Sequence, residues 1–158
     1  MKKIFSVMFV FFLASCQGYE SIPLGNDYYL SDSDRNHIYI YKKMDDKEGF
    51  NIVVEQHVLD FQVIRGYLLV LRGVASSLDC YDQNNIPTII THYSDKREYW
   101  VINMKVGNIK GPLDKPNYLH IKNELGFGNV ELKSKYHIQS NTKSFNKLIS
   151  ECSKIKWH

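Results

Sequence analysis

The sequence predicts an α+β protein, a mainly antiparallel β-sheet with one or two helices packed on it towards the C-terminus. Three observations carry that prediction. Aromatic residues make up 13% of the 158 positions, eleven of them Tyr, and aromatic side chains suit half-buried strands. Short segments of strand character follow one another from residue 27 to residue 103, separated by turn formers. Helical spacing appears only after residue 114.

Asp27-Tyr28-Tyr29-Leu30 starts the strand series and runs into the turn cluster Ser31-Asp32-Ser33-Asp34-Arg35-Asn36. In His37-Ile38-Tyr39-Ile40-Tyr41 the two Ile alternate with His and Tyr, the period of a half-buried strand. A charged hairpin connection over 42–49 leads to strands expected at 50–58 and 61–64. Arg65-Gly66 then introduces Tyr67-Leu68-Leu69-Val70-Leu71, an apolar run short enough to be a strand buried on both faces in mid-sheet. Residues 74–85 read as a polar loop holding Cys80. Residues 86–92 read as extended, with Pro87 at an edge or first position, and 98–103 as a further strand. Gly107-Asn108 signals a turn, and Gly111-Pro112-Leu113 leads the chain out of the sheet.

Asp114 is placed to cap a helix over 115–125, with Pro116 tolerated in its first turn and Gly126 as its stop. Tyr118, Leu119 and Leu125 supply its apolar side. Val130, Leu132, Ser134, Tyr136 and Ile138 share one face of a strand expected at 130–138. Ser140 or Asn141 caps a second helix, in which Phe145, Leu148, Ile149 and Cys152 recur at i, i+3, i+4 and i+7. That spacing turns Cys152 to the core, where Cys80 could meet it.

The N-terminus carries the most specific motif. Lys2 and Lys3 precede an apolar run over 4–13, and Leu13-Ala14-Ser15-Cys16 follows directly. The order of charge, apolar stretch and small residues is that of an export signal, and the run is about half the roughly 20 residues that span a bilayer. The tetrapeptide resembles the bacterial lipobox, which implies cleavage between Ser15 and Cys16 and acylation of Cys16. The expected organisation is a signal peptide over 1–15, a lipidated tether over 16–25 and one β-rich domain over 26–158. Gln17, where Asp would signal retention at the inner membrane, makes the resemblance favour the outer membrane, facing the periplasm.

Cleavage also changes the charge. Loss of Lys2 and Lys3 leaves 18 basic residues against 17 acidic ones, so the net charge falls from +3 to +1. A near-neutral chain offers no basic patch for nucleic acid. In an oxidising compartment Cys80 and Cys152 are expected to pair, although two separate buried thiols remain the alternative.

No residue pattern announces chemistry. The six histidines, His37, His57, His92, His120, His137 and His158, lack the close spacings of zinc ligands, and His37 and His57 are expected to point outward from strands. No metal site and no cofactor are expected. Ser76-Ser77 lies outside any nucleophile elbow. Cys80 with His92 as base would compete with the disulfide. Asp45, Asp46 and Glu48 read as a solvated turn, and Gly126-Phe127-Gly128 lacks the residues of a phosphate loop.

The strand Tyr99-Trp100-Val101-Ile102-Asn103, a tight turn, Gly111-Pro112-Leu113 and a helix ending Glu124-Leu125-Gly126 resemble a family of small bacterial lipoproteins of unknown function, over residues 26–126. The resemblance implies a fold and brings no catalytic residues. The functional expectation is therefore a non-enzymatic envelope lipoprotein, anchored to the membrane through Cys16, whose partner is a protein. One form is an immunity or inhibitor protein that neutralises a toxin in the periplasm. An accessory to envelope maintenance or outer-membrane assembly is the alternative, and a small periplasmic hydrolase is less favoured.

Overall fold

Four short strands, β1 (Glu20–Gly25), β2 (Tyr28–Asp32), β3 (Tyr39–Lys43) and β4 (Phe50–Val54), pair in sequence order as an antiparallel meander. The computed structural model describes residues 20–32, 37–44, 49–134 and 142–157. Asn26 and Asp27 join β1 to β2 with φ of 48° and 63°, the paired positive values that a tight hairpin turn requires. Glu20–Gly25 thus belongs to a sheet, whereas the sequence assigned it to the tether. Its pairing with β2, from Glu20 opposite Asp32 to Gly25 opposite Tyr28, supplies the partners for its backbone.

The second sheet contains β5 (Val58–Ile64), β6 (Tyr67–Tyr81), β7 (Pro87–Asn103) and β8 (Asn108–Leu113), all antiparallel and in that order. Arg65 and Gly66, at φ of 48° and 82°, make the tight turn between β5 and β6. Leu68 and Val70 point towards the first sheet, where they meet Leu30, Ile40, Val54 and Trp100. Leu69 points the other way, with Val101, towards Tyr118 and Phe127. The apolar run over 67–71 is therefore the central layer of three, sheet on sheet on helix.

The helix α1 (Lys115–Glu124) forms that third layer. Asp114 caps it as expected, its carboxylate accepting the Asn117 N–H at 2.9 Å, and Gly126 follows at φ 73°. Its buried residues are Tyr118 and Lys122, while Leu119 is exposed.

Several elements differ from the sequence reading. Gly111-Pro112-Leu113, expected to lead the chain out of the sheet, belongs to β8. β7 joins the strands expected over 86–92 and 98–103, and the strand expected over 50–58 ends at Val54, with Val58 opening β5. The loop expected over 74–85 is mostly strand, since β6 continues to Tyr81. Beyond a bulge at Gly73 to Ala75 it pairs with β7 through to Pro87, and Leu78 alone is fully buried there. The strand expected over 130–138 is absent from its described part, residues 130–134. Side chains take the place of a ladder: Lys122 donates to the Val130 carbonyl, Gln62 to the Glu131 carbonyl, and Asp60 accepts the Lys133 N–H. A short strand, β9 (Lys154–Trp157), was not expected, and it pairs with the distal half of β6.

The second helix, α2 (Thr142–Ser150), lies against that distal half. Phe145 packs on Leu78 and Ile90, with Ile149, Cys80 and Cys152 around them. Leu148, expected on the same face, is exposed. A disulfide joins Cys80 to Cys152, with a Cα–Cα separation of 5.3 Å across 72 residues of chain.

Candidate binding face

Alternation in the first sheet leaves one side for the core and the other for solvent. Leu30, Ile40 and Val54 stand opposite one another and face inward. Their neighbours in the same strands, Tyr29 opposite Tyr41 and Tyr41 opposite Ile52, occupy the other side, with Tyr39 opposite Ser31 and Phe50 opposite Lys43. An antiparallel sheet with one solvated face ordinarily carries polar residues there. This one carries aromatics.

The rings form a continuous array around Tyr41, which is itself buried beneath them, while Tyr29 and Tyr39 are half-buried. Tyr29 stacks on it at 5.4 Å, Phe50 tilts against it at 5.1 Å and Tyr39 lies at 5.9 Å. The Tyr41 hydroxyl donates to Ser21 Oγ at 2.9 Å, and Lys43 Nζ sits 4.5 Å over the Tyr29 ring. Phe50 and Ile52 are 52% and 55% exposed, at the β4 margin. Hydrophobic groups clustered in this way, with polar atoms among them, mark interaction surfaces more than scattered exposed residues do.

Ile52 also lines a recess of about 280 Å³ with Glu55, Gln56, His57, Arg72 and Ser77. Arg72 is its fixed element. Its Nε donates to the Gln56 carbonyl at 3.0 Å, while its terminal nitrogens reach Glu55 at 2.9 Å and Glu98 at 3.4 Å. The guanidinium carbon lies 5.7 Å from the Trp100 ring.

His57, expected to point outward, is buried instead at φ 76°. The chain turns between β4 and β5, and the His57 carbonyl accepts the Gly73 N–H at 3.0 Å. The imidazole meets Tyr93 edge-on at 5.0 Å, and its Nδ1 has no hydrogen-bond partner. Burial, with the charges of Arg72 and His37 adding to it, pulls its pKa down to about 4. The ring is neutral at pH 7.

The other sequence candidates are dispersed. His37 is exposed, as expected, and His92 stacks on Phe145 at 4.5 Å. His120 lies 3.4 Å from Glu124 on the exposed side of α1. Cys80 is bonded to Cys152, so it is no thiolate for a His92 base. Ser77 lies within hydrogen-bonding distance of Thr91 across the β6–β7 pair, at 3.2 Å, and Ser76 sits beside it in β6 rather than in a loop. Among the described residues, no three His, Cys, Asp or Glu side chains gather where they could hold a metal ion. Phe127 is buried under α1, so Gly126-Phe127-Gly128 serves the end of the helix. Ser15, Cys16, Asp45, Asp46, Glu48, His137 and His158 lie outside the described residues.

A model of the family described as "Protein of unknown function (DUF3997)" matches residues 25–147. The chain belongs to that family. The DUF3997 match takes in the whole aromatic face, the recess and α1, and agrees with the uncharacterised family expected over 26–126. It does not reach Ser15 and Cys16. No curated protein and no solved structure matches the chain.

Sequence reasoning missed the aromatic face because tyrosines in alternating strands fit either side of a sheet. The available signal lay in β2 and β3, where Tyr29, Tyr39 and Tyr41 fall in phase opposite the Leu30–Ile40 stripe.

Proposed function

We propose that this protein is a non-catalytic envelope lipoprotein, anchored by lipid on Cys16 and facing the periplasm, which binds a protein partner through the outer face of its first sheet. The exposed Phe50 and Ile52, with the half-buried Tyr29 and Tyr39 packed around a buried Tyr41, carry the reading. Tyr and other large aromatics anchor protein interfaces because each removes a large apolar area from water at little cost in side-chain freedom. The recess beside Ile52 extends that face with an arginine already held in place by two carboxylates. The Cys80–Cys152 bond supports an exported protein, since disulfides persist in oxidising compartments. The partner in this reading is a toxin delivered to the periplasm, which the protein neutralises by covering it.

The test uses cells that receive an exported toxin encoded beside the gene for this protein. Wild-type protein is expected to protect them. The Phe50→Ser/Ile52→Ser variant should abolish protection while it stays folded and membrane-bound. Full protection by that variant would show that the face is not the binding surface. Cells that survive equally well without the gene would refute the immunity role. Retention of Cys16→Ser in the membrane fraction would refute the lipid anchor.

A further inference from the structure

A lysine buried in the third layer points to a second site, on the far side of the protein from the aromatic face. Lys122 is only 5% exposed. Its ammonium donates to the Gly128 carbonyl at 3.1 Å and the Val130 carbonyl at 2.7 Å, which accounts for two of its three protons, and it lies 5.8 Å from the centre of the Tyr118 ring. Among the described residues, the ion pairs involve Arg72, His120 and Lys133, and no carboxylate lies within pairing distance of Lys122. Burying a cation without a counter-charge is costly, and carbonyl dipoles offset that cost only in part.

That lysine lines an open cavity of about 460 Å³ between α1 and the 128–132 segment. The volume is in the range that takes a small organic molecule. One side is lined by Tyr99 and Tyr118, which stack with ring centroids 4.6 Å apart, Tyr118 itself being buried, and by Leu119 and Leu132. Lys115 adds a second positive charge to the lining, while Glu131, also in the lining, lies 3.7 Å from Lys133. A buried cation with a proton to spare, beside an aromatic wall, is complementary to an acceptor-only anion with an apolar body.

We propose that this cavity binds a small monocarboxylate, with its carboxylate received by Lys122 and its apolar body against the Tyr99–Tyr118 stack. The site is independent of the aromatic face, and the proposal stands or falls without the toxin-binding role. The carbonyls of Gly128 and Val130 hold the ammonium in place beforehand, so binding needs little reordering of the lysine.

Three probes of the same shape test it on the full chain: phenylpropionate, phenylpropanol and phenylpropylamine, titrated by calorimetry with amide chemical shifts followed in parallel. Phenylpropionate is expected to bind with Kd near or below about 1 mM and at least roughly tenfold tighter than the alcohol. The amine should bind weakest. Shifts should centre on Tyr118, Lys122 and Val130, and Lys122→Met should erase the preference of acid over alcohol. Equal binding of acid and alcohol, tighter binding of the amine, shifts centred elsewhere or no binding of any probe would each overturn the proposal. The ranking of the three head groups on the wild-type chain decides the matter even where Lys122→Met does not fold.

Discussion

Gly111 in β8 passes so close to the indole of Trp100 in β7 that a Cβ placed on it would collide with the ring at Cδ1, Cγ and Nε1. Trp100 is buried between the sheets, so its ring has little room to retreat. Gly111→Ala is expected to destabilise the fold by about 1–3 kcal/mol, the usual cost of overfilling a packed core. Thermal denaturation checks it, with tryptophan emission as the local probe. An unchanged melting temperature and emission maximum would show that β8 can yield.

Reduction of Cys80–Cys152 is expected to act unevenly. The bond closes 72 residues of chain, and in the chain-entropy model such a loop contributes about 4 kcal/mol to stability. Beyond the bond, α2 and β9 are held by the small cluster of Leu78, Ile90 and Phe145 and by pairing with β6. Hydrogen exchange in reductant should therefore rise first in α2 and β9, while the α1 layer and the first sheet stay protected. Uniform acceleration over all strands would show that the distal hairpin has no separate stability.

The buried imidazole of His57 makes stability depend on pH in a defined direction. Its pKa falls from 6.5 to about 4 on folding, so between those values the unfolded chain binds the extra proton. Its contribution is full above pH 6.5, declines as the pH falls from 6.5 towards 4, and is lost below. The size is about 3 kcal/mol at most. His57→Asn keeps a residue that tolerates positive φ and removes the titration. Urea denaturation between pH 7 and pH 4 should show a flatter profile for that variant, and identical slopes would contradict the assignment.

Tyr118 carries a cost that can be removed. Its hydroxyl is buried without a hydrogen-bond partner, and burial, with Tyr99 and Asp60 nearby, pushes its pKa up to about 12. Tyr118→Phe keeps the ring and its stacking on Tyr99. Stability should rise by up to about 1 kcal/mol or stay level, since an unmet buried donor is lost. A loss above about 1 kcal/mol in urea denaturation would mean that the hydroxyl is satisfied in solution.

Legibility in the sequence followed how directly a residue's type reports its surroundings. Ile38 and Ile40 both lie in the core, and the run over 67–71 is the central strand of the stack, because a strand's period is read from the chain itself. Asp114 announced α1 through a local cap, and Phe145 and Ile149 announced the packed side of α2. The distal half of β6 was hidden because Ser76, Ser77 and Asp79 supply too few apolar residues for strand alternation, and only cross-strand pairing with β7 makes it a strand. The segment over 130–134 misled for the opposite reason. Its apolar alternation is real, but side chains from β5 and α1 take up its backbone groups. Lys122 and His57 were illegible as buried residues, since a lysine in a helix and a histidine among strands are ordinarily solvated. The aromatic face needed the register of three strands at once.

The first described strand, β1, opens at Glu20, four positions after Cys16. Four Cα-to-Cα steps reach at most about 14 Å, a fraction of a bilayer's own thickness of roughly 40–45 Å. With Cys16 acylated as proposed, that reach would keep the first sheet close to the membrane. In the proposed role its partner would be met at the lipid surface, and a variant with residues inserted after Cys16 would reach a deeper layer of the periplasm at lower local density.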